Sequence, residues 1–287
     1  EMVIRDWSSD VCSSDLLPIP VTPAICELSG RIRRKHLVQR ARRCLRHNRD
    51  FEPRHYGPLR WQVRHAWMNP ATEAILVDPD GFLSRQAEIL KAGRSSTVGR
   101  AGGRVLKRFN LRKPANVLKD LFRPSKARRA FLKAYHLEIS GVPTARPIAV
   151  ADRRVAGLLW RSYFLMEEIP NARHLGQWTG DPRQAVKALA KVIAALHGEG
   201  FTHRDLKETN LVFDAAGDLH LIDLEGIEFL GVVPRERALR DLARLDDAAR
   251  ALPGFTPALR RQFVRRYTQA RGLRPRAFFR PIHPPRP

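Results

Sequence analysis

The chain has 287 residues, 43% hydrophobic and 28% charged, an ordinary globular composition that can build one large domain or two lobes around real cores. Collagen-like, coiled-coil and wholly disordered chains are excluded. With 52 Lys and Arg against 29 Asp and Glu, the formal charge is +23, so the surface attracts polyanions: nucleic acid, an anionic membrane or a phosphorylated substrate. The three cysteines, Cys12, Cys26 and Cys44, are too few for a disulfide scaffold and fit a reducing cytosolic setting. No run of about 18 uncharged apolar residues is present. The longest candidate, residues 185–201, is broken by Lys187, Lys191, His197 and Glu199.

Residues 6–16 read DWSSDVCSSDL, a near-repeat of Ser-Ser-Asp around Val11-Cys12 that resembles the in-frame translation of a sequencing-library adapter. Residues 1–16 are therefore set apart as a non-native scar. Residues 17–79 form a basic N-terminal extension. Nine Lys and Arg fall within residues 31–49, and Leu37, Ala41 and Leu45 follow one another at i, i+4 spacing. That pattern predicts a basic amphipathic helix able to lie on an anionic surface. Residues 80–272 form the main domain, with an N-lobe over 80–166, a C-lobe over 167–272 and a Pro- and Arg-rich tail over 273–287.

Within that domain, residues 87–91 and 103–109 read as short strands flanking a loop of Gly, Ser, Thr and Arg. A basic helix follows over 126–137 and stops at Gly141-Val142-Pro143. Residues 156–169 alternate and are rich in Leu, Tyr, Phe and Met, which predicts a strand pair. Asp181-Pro182 is a helix start, with Asp as N-cap and Pro at the first helical position. Its apolar positions continue to Leu196-His197, and Gly198 and Gly200 end it. Residues 211–213 and 219–222 form a β-hairpin, and helices over about 234–252 and 257–270 close the fold.

Between the glycine-ended helix and that hairpin lies His203-Arg204-Asp205-Leu206-Lys207-Glu208-Thr209-Asn210, which matches the H-R-D-x-x-x-x-N catalytic loop of kinases. Asp223 follows the apolar Leu219-His220-Leu221-Ile222 strand, where a metal-binding Asp belongs. Phosphoryl transfer needs an aligned hydroxyl and cations that neutralise developing charge. Asp205 is placed to accept or orient the hydroxyl proton, and Lys207 to reach the γ-phosphate. Asn210 and Asp223, brought together by the hairpin, are candidates to hold Mg²⁺ on the phosphates of ATP. Upstream, Lys107 lies on the strand after the Gly-containing loop and is the candidate phosphate-binding lysine. Gly93, Ser95 and Ser96 belong to the candidate phosphate-covering loop, and Val98 is placed to pack on adenine. Residues 164–169 read as the hinge, with the backbone of Glu167 and Ile169 facing the adenine edge.

At these residues the chain resembles the protein-kinase-like superfamily, and more narrowly the bacterial lipopolysaccharide kinase (Kdo/WaaP-like) family. The narrower resemblance rests on Val105-Leu106-Lys107-Arg108-Phe109-Asn110, Ser125-Lys126-Ala127-Arg128-Arg129 and Gly141-Val142-Pro143-Thr144-Ala145-Arg146-Pro147. Leu221-Ile222-Asp223-Leu224-Glu225 and Arg240-Asp241-Leu242-Ala243-Arg244-Leu245 add to it, and it spans residues 80–267. It implies an α+β, bilobal kinase fold with a small β-rich N-lobe and a mostly helical C-lobe. It further implies ATP- and Mg²⁺-dependent phosphorylation of a heptose or Kdo hydroxyl in the lipopolysaccharide inner core. The acceptor would be an acidic glycolipid precursor, and the protein would sit peripherally at the cytoplasmic face of a Gram-negative inner membrane. His203 and Asp241 would support the catalytic loop. Nucleic acid is disfavoured as a partner, because no aromatic-basic stacking motif or zinc pattern is present.

The chain departs from the kinase pattern at three places. Leu224 and Glu225 replace the Phe and Gly of the D-F-G triplet. The helix after Ser125 carries Ala130 where an acid partner for Lys107 is expected, and Glu138 lies two turns later. Finally, Asp241 follows Asp223 too closely for a long activation loop or an Ala-Pro-Glu element. The last point favours a small-molecule or glycolipid acceptor over a peptide. A protein or small-molecule kinase of the same superfamily, and a nucleotide-binding pseudokinase or scaffold, are the alternatives.

Overall fold

The computed structural model describes residues 23–110, 124–155 and 158–279. The expected scar over 1–16 lies outside these residues, as does the basic stretch 111–123.

Seven antiparallel strands build the N-lobe: β1 (Phe51–Tyr56), β2 (Leu59–Arg64), β3 (Glu88–Ala92), β4 (Ser96–Ala101), β5 (Arg104–Phe109), β6 (Pro147–Val155) and β7 (Leu158–Glu167). Their spatial order is β1-β2-β6-β7-β5-β4-β3. The two-residue period sorts side chains to opposite faces. Ala149, Ala151, Tyr163, Leu165 and Leu106 pack on one face with Trp61, Val63, Ile75, Leu76 and Phe82. Val150, Phe164 and Phe109 point the other way and join Phe51, Phe131 and the C-lobe core. Register pairs Lys107 with Phe164, so Lys107 is on this second face, toward the cleft.

The sheet corrects the expected domain boundary. The N-lobe begins at Phe51, because β2 pairs with β6 along residues 59–63, and α2 (Pro70–Val77) with the single turn α3 (Pro79–Gly81) covers the first face. Asn69 caps α2 by accepting from the Thr72 N–H at 2.9 Å. The stretch expected to be a loop contains β4, and the expected strand pair over 156–169 is the single strand β7, which lies between β6 and β5.

Helix α1 (Pro23–Arg42) packs on α4 (Lys126–Ile139), and Arg33 reaches Glu199 at 2.6 Å. Ala41 and Cys44 enter the core, whereas Leu28 and Ile32 are exposed. Ser125 caps α4, accepting from the Arg128 N–H at 3.1 Å. Gly141, at φ +73°, closes it: its N–H donates to Glu138 O, and the Val142 N–H donates to Leu137 O. Only glycine adopts that left-handed position freely.

The C-lobe comprises α5 (Pro182–Gly198), α6 (Arg235–Ala249), α7 (Pro257–Ala270) and α8 (Pro275–Phe278). Small sheets flank the candidate catalytic loop: β8 (Arg173–His174), β10 (Leu211–Phe213) and β11 (Leu219–Leu221) form one, β9 (Phe201–His203) and β12 (Ile227–Phe229) the other. Within the expected tail, the described residues include α8. Phe278 is buried beside Tyr267, and its carbonyl accepts from Arg235 Nε. No described helix is long and apolar enough to cross a membrane.

Candidate active site

A cavity of about 550 Å³ lies between the lobes, within the range of small-molecule sites. Val98, Val105, Phe164, Met166, Val212 and Ile222 give it apolar walls, and Lys91, Lys107, Lys207, Asn210, Asp223 and Glu225 occupy it as polar groups. Glu167 and Ile169 of the hinge line it as well. Gly93, Ser95 and Ser96 do not. Ser96 opens β4 and is buried, its carbonyl accepts from the Gly93 N–H, and the Ser95 carbonyl accepts from the Asn110 N–H. From that segment, Lys91 and Val98 reach the cavity instead.

The catalytic loop is fixed by its own hydrogen bonds. The Asp205 N–H donates to His203 Nδ1 at 3.1 Å, and the Lys207 N–H donates to Asp205 O. Asn210 Nδ2 donates to Asp205 O at 2.8 Å and to its carboxylate at 3.2 Å, and Lys207 Nζ donates to the same carboxylate at 2.9 Å. The hydrogen bond from Lys207, assisted by its charge and by Asn210, holds the Asp205 carboxyl below the usual range despite some burial. Reciprocally, Asp205 pushes the Lys207 ammonium up. The Ile222 N–H donates to Asn210 O, which ties β11 and the approach to Asp223 to this loop.

Asp223 stands at φ +58°, ψ +66°, in the left-handed region that few non-glycine residues enter. The turn carries the chain directly into Leu224–Gly226. Asp223 Oδ1 accepts from Lys107 Nζ at 2.9 Å, and Glu225 Oε1 lies 3.1 Å from the same nitrogen. Burial pushes the Asp223 carboxyl up, but the ammonium groups of Lys107, Lys91 and Lys207 outweigh it and hold it below its ordinary value. Lys107 thus meets a carboxylate from the turn after Asp223 and none from α4. Ala130 lines the cavity, and Glu138 is committed elsewhere, to Arg64 at 2.9 Å. Sequence reasoning passed over this use of Glu225, having read it only as a replaced glycine.

Behind the loop, buried Asp241 accepts from the His203 N–H at 2.8 Å and lies 3.4 Å from His197 Nε2. His197 Nδ1 meets the Tyr267 hydroxyl at 2.8 Å. Burial pushes both His197 and His203 down, which favours the neutral imidazole.

The sequence profile described as the lipopolysaccharide kinase (Kdo/WaaP) family matches residues 96–267. The chain belongs to this family. A 3-deoxy-D-manno-octulosonic acid kinase of Xanthomonas oryzae pv. oryzae is 31% identical over 212 residues, covering 67% of this chain and 81% of that protein. The Stenotrophomonas maltophilia kinase of the same name is 34% identical over 110 residues, 36% of this chain and 43% of its own. Among solved structures, a crystal structure of WbdD aligns with a TM-score of 0.41 at 16% identity, covering 68% of this chain and 48% of that one. The chain thus spans about half of that structure. As a family member it is a phosphotransferase acting on a sugar hydroxyl. The match covers every polar cavity residue named above except Lys91.

The donor set suits ATP with a divalent cation. Among the described residues no group of three or more His, Cys, Asp or Glu side chains could hold an ion by itself. Asn210 and Asp223 offer one amide and one carboxylate, the sparse protein contribution that Mg²⁺ takes when phosphates and water complete its shell.

Proposed function

We propose that this protein transfers the γ-phosphate of ATP to a hydroxyl of Kdo in the lipopolysaccharide inner core, at the cytoplasmic face of the membrane. The observation that carries the reading is the cavity lined by Lys107, Lys207, Asn210 and Asp223, with Asp205 outside its lining but hydrogen-bonded to both Lys207 and Asn210. Kdo is preferred to heptose because the matching relatives bear that substrate in their names.

Val98, Phe164 and Met166 would enclose the adenine, with the hinge backbone at Glu167 and Ile169 along its edge. Lys107 would hold the proximal phosphates and Lys207 the γ-phosphate. Mg²⁺, held by Asn210 and Asp223, would neutralise charge that develops on the phosphoryl oxygens. Asp205 would align the acceptor hydroxyl and take its proton, while His203 and Asp241 keep the loop in register. Arg204 and Arg129 are exposed, and both bear electrostatically on Lys133, which donates to Glu225 O at 3.1 Å. The Arg204 N–H donates to Gly226 O. This places a group of cations beside the catalytic loop, suited to an acidic sugar. The overall charge of +23 favours an anionic membrane surface, at about 1 kcal/mol per nearby basic residue.

The test is transfer of labelled γ-phosphate from Mg²⁺-ATP to a dephosphorylated Kdo-lipid A precursor and, separately, to a mixed protein pool. Labelled glycolipid is expected, with the rate reduced about 10²–10⁴-fold in Asp205→Asn. Label confined to protein, or glycolipid labelling unchanged by the substitution, would overturn the proposal.

A further inference from the structure

We infer that Glu225 is the positioning residue for Lys107, doing from the turn after Asp223 what a helix carboxylate does for the corresponding lysine in protein kinases. The inference rests on the reading of Lys107 as the phosphate-binding lysine. Lys107 is only 13% exposed and has two carboxylates within 3.1 Å, those of Asp223 and Glu225. Asp223 is also the candidate metal ligand, and a carboxylate facing a divalent cation has less charge left for an ammonium. Glu225 is then the partner that stays with Lys107 once nucleotide and cation are bound.

Helix α4 holds Glu225 at both ends. Lys126 Nζ lies 3.8 Å from Glu225 Oε2, and Lys133 Nζ donates to the carbonyls of Leu224 and Glu225 at 3.3 and 3.1 Å. Its cleft-facing position is Ala130, and the acid of α4, Glu138, pairs with Arg64. The polarity of the kinase arrangement is therefore inverted. The helix presents cations to the turn, and the turn presents its carboxylate to Lys107. Through this relay the position of α4 reaches the phosphate-binding lysine without a direct salt bridge.

The test measures binding of Mg²⁺-ATP and of adenosine by calorimetry for the native chain, Glu225→Gln, Glu225→Asp, Lys107→Ala and the Lys107→Ala/Glu225→Gln pair. Glu225→Gln is expected to weaken ATP about tenfold while adenosine binding is unchanged, and to add nothing once Lys107 is gone. Glu225→Asp should recover part of the loss. A general structural role would weaken adenosine as well, or weaken ATP further in the Lys107→Ala background, and either result overturns the inference. So does full ATP affinity in Glu225→Gln when Lys107→Ala is weak. If Lys107→Ala itself binds ATP normally, the phosphate-binding role of Lys107 fails, and the inference falls with it.

Discussion

Removal of the Asp241 carboxylate tests how the catalytic loop is held. Its side chain is almost fully buried and accepts a 2.8 Å hydrogen bond from the His203 N–H, with His197 Nε2 at 3.4 Å and Arg244 at 3.5 Å. Neutral His197 donates its Nε2–H to Asp241 while its Nδ1 accepts from the Tyr267 hydroxyl. One substitution therefore strands a donor on β9 and another on α5. A hydrogen bond to a charged group contributes roughly 1.5–3 kcal/mol, and an unpaired buried donor costs about 1–3 kcal/mol. Asp241→Ala should therefore destabilise the protein by about 3–5 kcal/mol, the range expected when one partner of a buried polar network is removed. Asp241→Asn keeps an acceptor for His203 and should cost about half as much. In urea, with a slope of about 3 kcal/mol per molar, the Ala midpoint should fall by more than about 1 M. An Ala variant within about 1 kcal/mol of native, or an Asn variant as damaged as Ala, would refute the buttress.

Other expectations come from different parts of the fold. Gly200, at φ +88°, lies where a Cβ would stand 2.3 Å from the Gly231 carbonyl oxygen. Gly200→Ala should therefore lower stability by at least about 1–3 kcal/mol, read by urea midpoint. His136, buried between Phe201 and Phe229, is pushed by burial down to about 4, and its Nε2 has no partner. Below the unfolded value of 6.5 the unfolded chain binds a proton that the folded one refuses, so stability falls as pH drops from about 6.5 to 4. The effect is on the order of 3 kcal/mol, and His136→Phe should make that slope shallower in unfolding midpoints taken across the range, the remainder coming from His197 and His203, which burial also pushes down. Replacing Arg129 and Arg204 with Ala should raise KM for the glycolipid at least several-fold while leaving KM for ATP near native; equal effects on both would reject the acidic-sugar assignment.

Much of the helical architecture was legible because the ends carry local chemistry: Asp181-Pro182 marks a start, and Gly141 and Gly198 mark ends. The catalytic loop was legible from residue order alone. Strand β4 was not, since Ser96-Thr97-Val98-Gly99-Arg100-Ala101 lacks apolar alternation and becomes a strand only by pairing with β3 and β5 on either side. Strand β1 carries Pro53, which the sheet tolerates because β1 is its edge. Strand β2 alternates, with Leu59, Trp61 and Val63 against Arg60, Gln62 and Arg64, but for six residues only, inside a basic stretch with little clear periodicity. The Lys107 partner was illegible for a different reason. The kinase pattern puts the acid on the helix, whereas the turn that delivers Glu225 depends on the backbone of Asp223, which no side-chain pattern announces.

The charges at Lys107 and Lys207 are paired within the protein. Asp205 is paired with Lys207, and Asp223 and Glu225 share Lys107, each contact between 2.9 and 3.1 Å. Binding a triphosphate with its cation would thus exchange partners around Lys107: Lys107 turns to phosphate and Asp223 to metal, while Lys207 reaches the γ-phosphate from beside the Asp205 carboxylate. Preorganised charge of this kind needs little rearrangement as the reaction proceeds. It also constrains Asp205. A carboxyl held below the ordinary range by Lys207 is a weak base, poorly suited to removing a sugar hydroxyl proton before transfer begins. Its contribution to the proposed reaction is then orientation, with the proton arriving late, as a loose phosphoryl transition state permits. The kcat profile should consequently show no acid limb from Asp205 between pH 5 and 8, roughly one unit or more above an ordinary carboxyl. A limb in that window, absent from Asp205→Asn, would instead assign Asp205 the part of an early base.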